Sequence, residues 1–177
     1  MDIEKLKYPI GKFDRSKEMT PKRRQKCIKT IGRYPKKLKR VVSTLSEEQL
    51  NTPYRPDGWT VRQVVNHLAD SHINSYIRFR WALTEETPMI KAYDEKSWAE
   101  LPDAKYGSVK DSLTILKGVH ARWFSLLTEM SDMDFKKELS HPDWNSNLSL
   151  DTMLSLYTWH CNHHMAHITE LIKRENW

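Results

Sequence analysis

The sequence predicts an all-α fold, a single four-helix bundle domain spanning residues 1–177. Four segments of about 20 residues carry apolar side chains at helical spacing, and no segment has a convincing two-residue period. The chain contains five glycines, fewer than a sheet protein rich in turns requires. Its 177 residues match the length of one ordinary domain.

The first long helix is predicted to begin at Thr20-Pro21, where a capping hydroxyl precedes a proline suited to the first helical position. Pro35 lies within its pattern, and an interior proline removes a backbone hydrogen bond. We therefore expect a kink or two shorter helices there.

The net charge of +6 belongs to this same part of the chain. Residues 17–40 hold eleven Lys and Arg residues against one acidic residue, whereas the remainder carries 18 basic and 22 acidic residues. Aromatic residues are not interleaved there as they are on base-stacking surfaces. We interpret the basic residues as the solvent-facing side of a helix and expect no nucleic-acid partner.

The second long helix is predicted from Thr60 to about Leu83, with Thr60 and Gln63 forming a capping box at its start. Residues 84–107 contain two prolines and one glycine without a sustained period, which predicts a long connection. Loops of this length usually serve function.

The third helix is predicted from Ser108 to about Ser131, and the fourth from the cap at Ser149 to about Arg174. A polar stretch that includes Pro142 joins these two helices. All four predicted helices have an apolar side, so they are most simply packed against one another.

The chain is expected to be cytoplasmic, with no membrane partner. Its first residues are charged, and no apolar run approaches the roughly 18 residues that span a bilayer. It has two cysteines, too few for a disulfide framework and typical of a reducing compartment.

Four of the eight histidines lie within residues 160–167, in the last predicted helix. At about 100° per residue, His160 and His164 fall on the apolar stripe of that helix, one turn apart. His67 lies at the edge of the stripe of the second helix. Three such imidazoles would hold one divalent ion per chain and leave one of four tetrahedral positions open.

Spacing leaves several alternatives open. His163 and His167 have the same i, i+4 spacing as the first pair, and only the apolar stripe favours the first pair. His163 and His167 could instead hydrogen-bond to the metal ligands or transfer protons. Asp70, one turn beyond His67, could accept the free ring N–H of His67, act as a base on bound water, or be an ordinary helix carboxylate. A buried polar network or a pH-sensing cluster is the alternative to a metal site.

The donor set favours Zn²⁺, with Ni²⁺, Co²⁺ or Fe²⁺ also suited to imidazole ligands. No Ser-His-Asp or Cys-His nucleophile, P-loop or dinucleotide turn is recognisable. Catalysis would therefore depend on the metal. His120, alone on an apolar stripe, is interpreted as a hydrogen-bonded core residue.

The chain resembles the DinB superfamily and, within it, the YfiT group. The motifs that carry the resemblance run nearly end to end: Tyr8-Pro9-Ile10-Gly11, Thr52-Pro53-Tyr54-Arg55, His67-Leu68-Ala69-Asp70-Ser71-His72, Tyr93-Asp94-Glu95-Lys96 and His160-Cys161-Asn162-His163-His164. The resemblance implies a four-helix bundle, a homodimer, and one metal ion held by His67, His160 and His164.

The resemblance implies two reactions on a small-molecule substrate. Proteins similar to this chain are described as metal-dependent hydrolases, in which the metal lowers the pKa of bound water. Related members are S-transferases that use a low-molecular-weight thiol such as bacillithiol, whose pKa the metal would lower in the same way. A third interpretation is a non-catalytic metal-binding module of a stress response.

Overall fold

Four long helices form the framework of the protein: α2 (Pro21–Val42), α4 (Val61–Thr84), α7 (Val109–Glu129) and α9 (Leu150–Glu175). A computed structural model describes residues 2–144 and 146–177. Within these residues, short elements occupy the connections: α1 (Ile3–Lys7), α3 (Glu47–Leu50), α5 (Glu95–Ala99), α6 (Pro102–Tyr106), α8 (Asp132–Lys136), β1 (Glu138–Leu139) and β2 (Leu148–Ser149). The strands β1 and β2 pair antiparallel.

The long helices pack as a four-membered ring. Helix α2 packs against α7 and α9, and α4 packs against the same two helices, so α2 and α4 lie diagonally opposite each other. The apolar sides of the helices meet in one core, where Phe79 of α4, Trp123 of α7 and Leu154 of α9 are fully buried. The predicted all-α four-helix bundle is confirmed.

The predicted helix starts are confirmed. Local capping hydrogen bonds fix each of them, which is why the sequence predicted them. The Thr20 hydroxyl accepts from the backbone N–H of Arg23, and the Ser149 hydroxyl accepts from that of Thr152. At α4 both bonds of the Thr60–Gln63 capping box are present. None of the helices in the described part of the chain is both long and apolar enough to cross a membrane.

The first long helix is continuous, so the expectation that Pro35 divides it into two shorter helices was wrong. Helix α2 runs through Pro35 as one element, and Pro35 is buried between core residues Ile31 and Leu38. Burial of Ile31, Pro35 and Leu38 in the core offsets the hydrogen bond that the proline removes and keeps the segment helical.

The connections also contain more structure than their composition predicted. Helices α5 and α6 lie within residues 84–107, and α8 with the β1–β2 pair lies before α9. Each of these helices has five residues, too few to show a period, and local caps start two of them. The Asp94 carboxylate, for example, accepts from the backbone N–H groups of Lys96 and Ser97.

An ion pair between α2 and α9 should contribute measurably to stability. The Arg24 guanidinium donates two 2.7 Å hydrogen bonds to the Asp151 carboxylate, and both side chains are largely buried. We expect Arg24→Ala to lower the free energy of unfolding by about 2–3 kcal/mol, because it leaves Asp151 without its partner. Urea denaturation measures this. Lys17→Ala, which removes an exposed pair with Asp14, should change the free energy by less than about 1 kcal/mol. Equal losses in the two variants would contradict the assignment.

Candidate metal centre

Three histidines from two helices converge on one point. His67 comes from α4, and His160 and His164, one turn apart, come from α9. Ligand nitrogens of the three rings lie within 4.8 Å of one another. The Nε2 atoms of His67 and His160 are 3.2 Å apart.

This spacing fits a shared metal ion. Two nitrogens bound at about 2.0–2.1 Å to one tetrahedral zinc ion are about 3.3 Å apart, close to the separation of the His67 and His160 nitrogens. His67 and His164 are also nearly buried, so an unpaired ring nitrogen here would cost on the order of 1–3 kcal/mol. The residues present therefore suit a divalent ion.

A second histidine group overlaps the first. Nitrogens of His163, His164 and His167 also lie within 4.8 Å of one another, and all three side chains are buried. Their Nδ1 atoms have no hydrogen-bond partner within residues 2–144 and 146–177. His164 belongs to both groups, so distances alone do not choose between them.

Aromatic rings hold the second group in place. The His167 ring stacks on Tyr54 at 4.0 Å between centroids, and its Nε2 donates to the backbone carbonyl of Lys7 at 3.0 Å. The His163 ring stacks on Trp159 at 4.4 Å. These contacts hold the rings of His163 and His167 in place in the absence of a metal ion.

A chain of hydrogen bonds leads from His160 into the core. The Nδ1 atom of His160 lies 3.1 Å from Nε2 of His72, and Nδ1 of His72 lies 2.7 Å from Nε2 of His120. Nδ1 of His120 contacts the Ile31 carbonyl oxygen at 2.7 Å. The interpretation of His120 as a hydrogen-bonded core residue is confirmed, and its partners are the buried His72 ring and the Ile31 carbonyl.

Burial keeps these imidazoles neutral at pH 7. Desolvation, the largest cause in every case, lowers the pKa to about 4 for His67, His120 and His167 and to about 3 for His163. It also lowers the pKa values of His72, His160 and His164 well below the usual value. Neutral imidazole is the form that binds metal ions.

The histidines line a pocket of about 710 Å³ that is open to solvent. His67, His160 and His164 all contribute to its wall, as do His163 and His167. The volume is typical of a small-molecule site.

Asp70 lies apart from this arrangement. It does not line the 710 Å³ pocket, and its carboxylate forms no hydrogen bond with His67 or with any other residue that the structure describes. Burial, aided by the charge of Asp103, raises the pKa of Asp70 to about 6. Of the alternatives for Asp70, the bond from the His67 ring is therefore not formed, because one helical turn brings the residues near without aiming the carboxylate at the ring.

Glu95 is a candidate to which the sequence analysis gave no role, although it lies in one of the motifs that carry the family resemblance. It lines the 710 Å³ pocket and also a neighbouring pocket of about 510 Å³, and His160 lines both. The residue is exposed, and partial desolvation of the carboxyl group raises its pKa. A single glutamate in a connection has no partner residue at helical spacing that would indicate a site. The connection predicted to serve function, residues 84–107, does contain it.

Comparison with known proteins gives close relatives. The chain is 49% identical over 172 residues to YfiT of Bacillus subtilis, covering 97% of each protein. It is 47% identical over 171 residues to a protein of Oceanobacillus iheyensis, covering 97% of this chain and 98% of the relative. The names of both relatives describe them provisionally as metal-dependent hydrolases.

A solved structure and a family model agree with these relatives. The structure of Bacillus subtilis YfiT superposes with a TM-score of 0.95 at 48% identity, covering 98% of this chain and 99% of that one. That protein is described as a probable metal-dependent hydrolase with an unusual four-helix bundle topology. The family model of the DinB superfamily matches residues 31–168. The chain therefore belongs to the DinB superfamily.

Proposed function

We propose that this protein is a metal-dependent hydrolase of a small-molecule substrate and holds one divalent ion through His67, His160 and His164. The observation that carries the proposal is the 3.2 Å separation of Nε2 atoms from two different helices in the wall of an open pocket. Zn²⁺ suits three imidazoles best, and Ni²⁺ is also accommodated. When bound, the ion would supply Lewis acidity and lower the pKa of a coordinated water or thiol.

The protein must supply a proton acceptor near the ion. Asp70 has a suitable pKa but does not line the pocket, whereas His163 and His167 line the pocket with pKa values of about 3 and 4, too low for effective bases at pH 7. Glu95 combines a place in the pocket wall with a raised pKa. We propose that the Glu95 carboxylate takes the proton and that His163 and His167 orient the substrate.

Glu95→Gln is expected to lower turnover by about 100- to 10,000-fold while leaving metal content unchanged, because the amide cannot accept the proton. Steady-state kinetics and metal analysis of the same sample measure both effects. Glu100→Gln is the matched control: Glu100 lines the same pocket, but a 2.6 Å bond from Lys105 engages its carboxylate and lowers its pKa. Similar losses in both variants, or none in Glu95→Gln, would rule out this role.

Thiol transfer is the alternative reaction. Both cysteines of the chain are buried, and neither lines the 710 Å³ pocket, so an attacking thiol would come from a low-molecular-weight cosubstrate. Consumption of an electrophile only when thiol is present would favour the transferase. Ester or amide cleavage without thiol would favour the hydrolase, and no metal-dependent turnover would favour a binding module.

The first experiment is the metal content of untagged, chelator-washed protein after reconstitution with zinc. About one ion per chain is expected, and no bound ion would contradict the proposal. Sedimentation equilibrium of the same sample tests the homodimer, which we also propose.

A further inference from the structure

We infer that His72 and His120 are positioning residues that fix the tautomer of His160, so that its Nε2 lone pair faces the metal centre. The inference rests on the proposed metal site. Its basis is the hydrogen-bonded chain from the Ile31 carbonyl through His120 and His72 to His160.

The backbone carbonyl of Ile31 fixes the first proton. A carbonyl oxygen only accepts hydrogen bonds, so Nδ1 of His120, 2.7 Å away, carries the hydrogen. In a neutral imidazole the other nitrogen then has a lone pair. Nε2 of His120 is therefore an acceptor.

The same alternation continues outward. Nδ1 of His72 donates to Nε2 of His120 at 2.7 Å, which leaves Nε2 of His72 as an acceptor. Nδ1 of His160 then donates to it at 3.1 Å. The lone pair of His160 is consequently on Nε2, the atom that lies 3.2 Å from His67.

Within the described residues, the side chains of His72 and His120 form no hydrogen bonds other than those of this series. His72 and His120 are almost completely buried, with relative exposures of 0% and 1%, and the Tyr34 ring packs against both. The Tyr34 hydroxyl has no hydrogen-bond partner within the described residues and does not enter the chain. Because the chain ends at a carbonyl that cannot take up a proton, its role is orientation rather than proton export. Such partners typically change metal affinity by 10- to 100-fold.

Nitrogen NMR of the uniformly ¹⁵N-labelled, metal-free wild type tests the inference without any substitution. The expected result is a hydrogen on Nδ1 in each of His72, His120 and His160. A hydrogen on Nε2 of His160 or of His120 would overturn it.

Zinc affinity, measured by competition with a chromophoric chelator, tests the consequence. His120→Leu removes the acceptor for His72 and is expected to weaken zinc binding about 10- to 100-fold. His120→Gln, whose amide both donates and accepts, should restore most of this loss, and Tyr34→Phe should change nothing. Unchanged affinity in folded His120→Leu, or equal losses in the Leu and Gln variants, would overturn the inference.

The two measurements separate this inference from the proposed function. The expected tautomers in a wild type that binds no zinc would refute the metal site and leave the orientation of His160 intact. Tight zinc binding with the opposite tautomer at His160 would refute the orienting chain alone.

Discussion

Replacing His67 with alanine is expected to remove the metal ion, whereas replacing His163 with alanine should leave it bound. Both residues lie in histidine groups that share His164, so this pair of variants discriminates between the groups. Structural zinc sites with four ligands bind with about 10–16 kcal/mol, which gives each donor on the order of 3 kcal/mol. Loss of His67 should therefore weaken binding by about 100-fold or more.

Metal content and chelator competition measure the difference, and circular dichroism confirms that each variant is folded. His160→Ala should behave like His67→Ala, and His167→Ala like His163→Ala. His164→Ala loses a ligand in either arrangement, so it tests whether the cluster binds metal at all. Retention of zinc in His67→Ala together with loss in His163→Ala would place the ion in the second group.

The parts of the fold that the sequence predicted are those set by local interactions. A capping hydroxyl accepts a hydrogen bond from a backbone N–H group three residues later. The helix starts at Thr20, Thr60 and Ser149 were therefore predictable from the local sequence. The continuity of α2 through Pro35 was not, because packing from other helices outweighs a local rule. The diagonal placement of α2 and α4 likewise depends on tertiary packing.

The candidate site also has a part that local spacing predicted and a part that depends on tertiary packing. Helical spacing predicted that His160 and His164 share a face, and the edge of a stripe predicted that His67 points inward. The hydrogen bond between His72 and His120 joins residues that lie 48 positions apart on different helices. No local sequence pattern predicts such a contact. Sequence proximity also suggested a bond from His67 to Asp70 that the packed helix does not form.

Acidification should unfold the metal-free protein before pH 5. Unfolded histidine has a pKa of about 6.5, whereas burial lowers the pKa of His67 and His120 to about 4 in the folded state. Between these values the unfolded chain binds protons that the folded chain excludes. The associated stability is complete above about pH 6.5 and is lost as the pH falls toward the folded pKa values.

The expected loss is large because many rings act together. Each excluded proton contributes about 1.4 kcal/mol per pH unit, or about 2 kcal/mol per histidine by pH 5. The loss for the four rings whose folded pKa values are about 3 to 4 is on the order of 8 kcal/mol, comparable to the whole stability of a typical domain. These rings belong to His67, His120, His163 and His167, and burial lowers the pKa values of His72, His160 and His164 in the same direction.

Asp70 acts in the opposite direction. Its folded pKa of about 6 lies above the usual carboxyl value, so the folded state takes up this proton first and gains stability as the pH falls from about 6 to 4. One carboxyl group offsets only part of the histidine loss. The net slope of unfolding free energy against pH therefore remains positive.

Urea unfolding of chelator-treated protein at several values between pH 7.5 and 5.5 measures this slope. His120→Gln removes one buried titrating ring and should reduce the slope by about 0.7 kcal/mol per pH unit at about pH 6.5, rising toward about 1.4 kcal/mol per pH unit at about pH 5.5. His141→Gln is the matched control, because His141 is only partly buried and should change the slope much less. A free energy of unfolding that is independent of pH over this range would contradict the prediction. It would mean that the buried rings take up protons in the folded state. The neutral cluster that metal binding requires would then not exist at pH 5.5.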